Sequence, residues 1–151
     1  MVRSGFISVG LVLIAGAAGL ADPAPAPPKV PKELLTQRLD AAAKVFRLNM
    51  ARLKAAQAAP SEVFGWSERW LDAELALAEK PADRVKALRD HVNRTREVER
   101  AATALAKTGQ GRQADADAAT YYRLEAEIRL LKEGGEPPAA NGDKGKPGDT
   151  K

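Results

Sequence analysis

The chain has no cysteine and one histidine, His91, among its 151 residues. Without cysteine there is no disulfide to cross-link the fold, no thiolate nucleophile, and no His–Cys metal cluster. Aromatic residues make up only 5% of the sequence, so the core must rest on aliphatic and alanine packing. No stretch sustains the two-residue alternation of a half-buried strand, and no strands are expected. Phosphate-binding glycine loops are missing: Gly109-Gln110-Gly111 is the nearest approach, and no strand precedes it. Glu-x-x-His, the motif of di-metal helical bundles, does not occur. With no assembled set of reacting groups, the sequence speaks against an enzyme and calls for no cofactor or metal.

What is present begins with export. Met1-Val2-Arg3 is a short basic start, Phe6 to Leu20 is an uncharged apolar run, and small residues cluster at Ala17, Ala18, Gly19 and Ala21. The run is shorter than the roughly 20 residues of a spanning helix, which favours a secretory signal over residues 1–21. Cleavage is expected after Ala21, with Ala18 the next candidate and an uncleaved N-terminal membrane anchor as the alternative. The destination is the periplasm or the exterior. Residues 22–31 hold five prolines and read as an extended linker. Residues 134–151 are rich in glycine and proline, lack large apolar side chains, and read as a disordered tail.

The helical domain is expected over residues 32–133, in four helices. In the first, 32–59, Leu35, Leu39, Ala42, Phe46, Asn49 and Leu53 fall on one face, Pro60 stops the helix, and Ser61 caps the next. The second, 62–79, carries Val63, Trp66, Trp70, Ala73 and Leu77. Pro81 opens the third, whose inner face is Val85, Leu88, Val92, Ala102 and Leu105, with Thr95 and Glu99 as polar interruptions. The fourth, 114–133, has Ala118, Tyr121, Leu124, Ile128 and Leu131 as its stripe. Leu71-Asp72-Ala73-Glu74-Leu75 matches Leu124-Glu125-Ala126-Glu127-Ile128 at an offset of 53, suggesting two similar hairpins. The expected fold is all-α: two helical hairpins forming an antiparallel four-helix bundle or a long paired coil, with disordered ends.

Charge alternates along the helices. Residues 29–54 carry +5, 62–80 carry −3, 83–107 carry +3 and 112–133 carry −1, so neighbouring antiparallel helices attract. A long helix, a glycine-bearing break, an acidic residue and an alanine-rich helix recur, most clearly in Ala106-Lys107-Thr108-Gly109-Gln110, then Asp115, then Tyr122-Arg123-Leu124-Glu125-Ala126-Glu127. This resembles the coiled-coil hairpins of TolC-type outer-membrane efflux proteins, and short exported bacterial helical proteins of unknown function. The resemblance implies a periplasmic helical hairpin, not a channel: TolC-type proteins are several times longer and carry membrane strands. No functional residue carries over from it.

Candidate sites are therefore surfaces. Trp66 and Trp70, one turn apart, and Tyr121 and Tyr122 are candidate contacts for a protein partner, with the tryptophans also suited to anchoring the core. Of the adjacent tyrosines, one should be buried and the other should reach solvent. Arg38, Lys44, Arg47, Arg52 and Lys54 on the first helix are candidates for an anionic lipid or cell-envelope polymer. Nucleic acid is disfavoured, because removing Arg3 with the signal lowers the formal charge from +4 to +3 and exported proteins seldom meet DNA. His91 reads as a solvated or rim histidine. Glu74 and Glu127 occupy matching repeat positions and could point inward. The expected function is a non-catalytic, protein-binding or self-associating component of the cell envelope.

Overall fold

The computed structural model describes residues 30–138, which form α1 (Lys32–Lys54), α2 (Pro60–Leu77), α3 (Pro81–Lys107) and α4 (Gln113–Lys132). There is no strand among the described residues, and the architecture is the expected all-α pair of hairpins. The signal segment 1–21, residues 22–29 of the linker and residues 139–151 lie outside the described residues. Among the described residues no helix is long and apolar enough to cross a membrane.

The first hairpin turns earlier than the proline suggests. Ala56 takes φ 57°. Its N–H donates to the Leu53 carbonyl, and the Gln57 N–H donates to the Arg52 carbonyl, both at 2.8 Å. This pair of bonds closes a helix through a left-handed residue. The second hairpin repeats it 53 residues on: Gly109 has φ 72°, its N–H donates to Ala106, and the Gln110 N–H donates to Leu105. Pro60 does not stop α1; it opens α2. Proline pushes the preceding residue out of helical conformation, so Ala59 is extended (φ −81°, ψ 148°) and Ser61 lies inside the first turn instead of capping it.

Within each hairpin the helices pack along their length, and the hairpins meet through α2 and α3. The α2 helix also touches α4 and α1 touches α3, but α1 and α4 do not meet. The bundle is thus an opened one, with α2 and α3 on the short diagonal. At the two-turn end, Phe46, Met50, Leu53, Val63, Val98, Ala102 and Ala119 form one apolar cluster. Leu71, Ala87, Leu88, Val92, Ala126 and Leu130 form another at the opposite end. Between them lies a buried polar layer of Ser67, His91, Arg94 and Thr95.

The α1 face is the expected one: Ala42, Phe46, Asn49 and Leu53 are buried, with Leu35 and Leu39 half-buried. The expected α4 stripe is not the packed face. The helix docks through Ala116, Ala119, Ala126 and Leu130, while Tyr121, Leu124, Ile128 and Leu131 are 62, 45, 52 and 57% exposed. Small side chains let α4 approach α3 closely. The α1 helix, which would cover the larger stripe in a square bundle, lies on the far side of α2 and α3.

The packed chain also runs past residue 133. The Gly134 and Gly135 N–H groups close α4 on the Leu131 and Leu130 carbonyls, each at 3.0 Å. Gly135 is buried, and Arg96 Nη1 donates to the Pro138 carbonyl at 2.6 Å.

Candidate functional site

The four candidate aromatics do not form one patch. Trp70 meets the α1 residue Phe46 edge-on (5.5 Å, 66°), with the Arg47 guanidinium 5.5 Å and that of Arg94 4.2 Å from its ring. Trp66 carries Arg69 over its ring at 4.7 Å. Both tryptophans are half-buried against the first apolar cluster, as core anchors are. On the other flank of α2, Phe64 stacks flat on the α4 residue Tyr122 (4.1 Å, 5°). Tyr121 alone of the four is exposed, and it begins the outer stripe of α4.

The basic residues of α1 are divided as well. Arg52 Nη1 is shared between Asn49 (3.1 Å) and Glu62 (3.4 Å), and Lys54 pairs with Glu97 at 2.7 Å. Arg47 is turned to Trp70. Arg38 and Lys44 are exposed and have no ion pair among the described residues. Their six-residue spacing places them about 120° apart around the helix, so they do not form a single basic face.

The chemically richest cluster is one that sequence reasoning missed. His91 is fully buried, not a solvated or rim residue. Its Nδ1 lies 2.9 Å from Ser67 Oγ, and its Nε2 lies 2.8 Å from Glu68 Oε1, with the ring N–H off the hydrogen-bond line. Arg94 donates to Ser67 Oγ at 3.2 Å and holds Glu74 with two nitrogens, at 3.3 and 2.9 Å. Arg129 of α4 reaches Glu68 at 3.2 Å. The signal for His91 was available: Leu88, His91, Thr95, Val98 and Ala102 alternate three- and four-residue steps, which is the buried face of α3. Glu68 is held below its ordinary carboxylate value, first by the contact from His91 and then by the charges of His91 and Arg129, against the opposing effect of burial.

Serine, histidine and glutamate in contact resemble a catalytic triad in composition only. Ser67 and His91 are both 0% exposed, and a nucleophile must reach its substrate. A hollow of about 80 Å³ lies at the two-turn end, between Leu53, Pro60, Leu105 and Asp115, and another of about 280 Å³ lies between Leu39, Glu74, Asp83 and Asp90. Neither is lined by Ser67 or His91. The two repeat-matched carboxylates do point inward, but onto arginines: Glu74 onto Arg94, and Glu127 onto Arg96 (2.7 Å) and Arg123 (2.9 Å). Arg123 in turn holds Glu99 at 2.7 Å. No group of three or more potential ligands that could hold a metal ion occurs among the described residues. The carboxylates and guanidiniums of these layers are thus paired with one another, while His91 Nε2 makes a charge contact with Glu68 but no aligned hydrogen bond.

The outer face of α4 is accessible, with four exposed large apolar side chains, as are Leu34 and Leu48 of α1. No family model matches the chain, and no match to it is found among curated proteins or solved structures.

Proposed function

We propose that this is an exported, non-catalytic helical protein of the cell envelope that works by protein contact, binding another protein or a second copy of itself through its helices. The observation that supports this reading most is the outer face of α4. Tyr121, Leu124, Ile128 and Leu131 form a continuous row of half- to two-thirds-exposed large apolar side chains. A row of this kind, unlike single scattered apolar residues, marks an interaction surface. The potentially reactive side chains, by contrast, are spent on the buried polar layer. Light scattering with circular dichroism across protein concentration and salt tests the reading, alongside pulldown from envelope fractions. Concentration-dependent association, or a stoichiometric protein partner, is the expected result. A chain that stays monomeric and recovers no partner would count decisively against it.

A second reading is favoured by Arg38 and Lys44. These two exposed cations have no ion pair among the described residues and flank the exposed Leu34 and Leu48 around α1, an arrangement that suits an anionic lipid or envelope polymer. Binding to anionic vesicles that weakens with salt, and is lost in an R38E/K44E variant, is expected on that reading. Binding insensitive to salt removes it.

A further inference from the structure

The outer face of α4 has the pattern of a self-complementary seam. Tyr121, Leu124, Ile128 and Leu131 are spaced three, four and three, the two-per-heptad spacing of a helix that pairs with one other helix. Along one edge of this row stand Glu125 and Lys132, seven residues apart and on the same side of the helix. Both are exposed, and neither has an ion-pair partner among the described residues. Most other charged residues of α4 are engaged within the chain: Arg112 with Asp115, Arg123 with Glu99 and Glu127, and Arg129 with Glu68.

We infer that this face binds the same face of a second copy, with the two α4 helices antiparallel about a two-fold axis near Ala126. The inference rests on the self-association arm of the function proposed above. In this register Leu124 packs on Ile128 of the second copy and Tyr121 on its Leu131, so all four large side chains are covered at once. The axis brings Glu125 of each chain toward Lys132 of the other, pairing two opposite charges of α4 that have no ion-pair partner among the described residues. Parallel pairing offers Lys132 only Glu127, whose two oxygens already bind Arg96 and Arg123. The same pairing sets the two α4 helix dipoles antiparallel, with Asp117 near the start of one helix toward Lys132 at the end of the other. The row spans only about 15 Å of helix at 1.5 Å per residue. An interface of that size falls short of the ~800 Å² per partner of standard complexes, so the dimer should be weak, of about micromolar affinity or below.

The test is sedimentation velocity on the full chain from about 1 µM to about 1 mM. A reversible dimer is expected, weakened at least about tenfold by I128K, whose target side chain is half-exposed and whose substitution should leave the thermal melt in place. E125K should weaken the dimer about three- to tenfold, and the swap E125K/K132E should restore it. Because the chain lacks cysteine, introduced thiols report geometry directly. Y121C mixed with L131C should form a disulfide, and Y121C alone should not. A dimer untouched by I128K and E125K, or Y121C crosslinking to itself, overturns the antiparallel α4 seam while leaving self-association in place. A wild-type chain monomeric to about 1 mM overturns the inference and the self-association arm together. Recovery of a different protein partner would then still support the broader reading.

Discussion

Replacing Glu74 with leucine should expose how much of the fold hangs on the buried polar layer. The Arg94 side chain is 8% exposed and that of Glu74 18% exposed, and they meet through two nitrogen–oxygen contacts. Leucine fills similar volume but removes both acceptor oxygens, leaving the guanidinium with Ser67 Oγ and the Trp70 ring. Breaking a fully buried ion pair costs about 3–5 kcal/mol. The remaining partners of Arg94 and the partial access of water to Glu74 reduce this to about 2–3 kcal/mol. For a domain of about 100 residues that is a fall of about 10–20 °C in melting temperature, or of about 1–2 M in the urea midpoint. The double variant E74L/R94M, which removes the stranded charge, should recover most of the loss. Paired urea titrations of the wild type, E74L and E74L/R94M decide the matter. An E74L unfolding free energy within about 0.5 kcal/mol of wild type, or a double variant as unstable as the single, refutes the reasoning.

Three further outcomes are expected. Ala56 holds a left-handed conformation that costs a non-glycine residue about 1–2 kcal/mol, so A56G should stabilise by about 0.5–1 kcal/mol after the added freedom of the unfolded chain; a lower urea midpoint would contradict this. A Cβ at buried Gly135 would overlap Leu130 and crowd Val85, so G135A should destabilise by about 1–3 kcal/mol, and an unchanged thermal melt would show that the chain after α4 does not pack there. Glu68 has a depressed carboxyl, so its contribution is present above the ordinary value near 4.5 and is lost as pH falls through the lower folded value. Wild-type stability should therefore drop in that acid range and E68Q should drop less; parallel acid titrations followed by circular dichroism check it, and identical profiles would argue against the coupling to His91.

The four helices, their order and the apolar face of α1 were legible from the sequence, because helix periodicity and proline placement are local properties. Proline was read in the wrong direction at residue 60 because it both disfavours a helix before it and suits the first position of one after it. The choice between those roles rests on where α1 closes, and the left-handed turn at Ala56 closes it before the proline is reached. Nothing marks an alanine for that conformation, whereas Gly109 announced the equivalent turn. The repeat at an offset of 53 gains a structural counterpart, since both hairpin turns share the same pair of closing hydrogen bonds.

The sequence by itself determined an all-α chain of two hairpins with no cross-links, because composition excludes disulfides and the apolar spacing excludes strands. Only the tertiary structure decided which face of α4 is inside. On α4 a row of large apolar residues and a row of alanines compete, and hydrophobicity alone favours the larger row. Close approach to α3 selects the smaller one, and the distant position of α1 leaves the larger row open. Burial of His91 and of Arg94 was equally beyond composition, which ranks arginine as a surface residue and histidine as intermediate. Their cost of desolvation is met by Ser67, Glu68 and Glu74, partners 20 to 27 residues away in sequence that only the packing of α2 against α3 brings within reach.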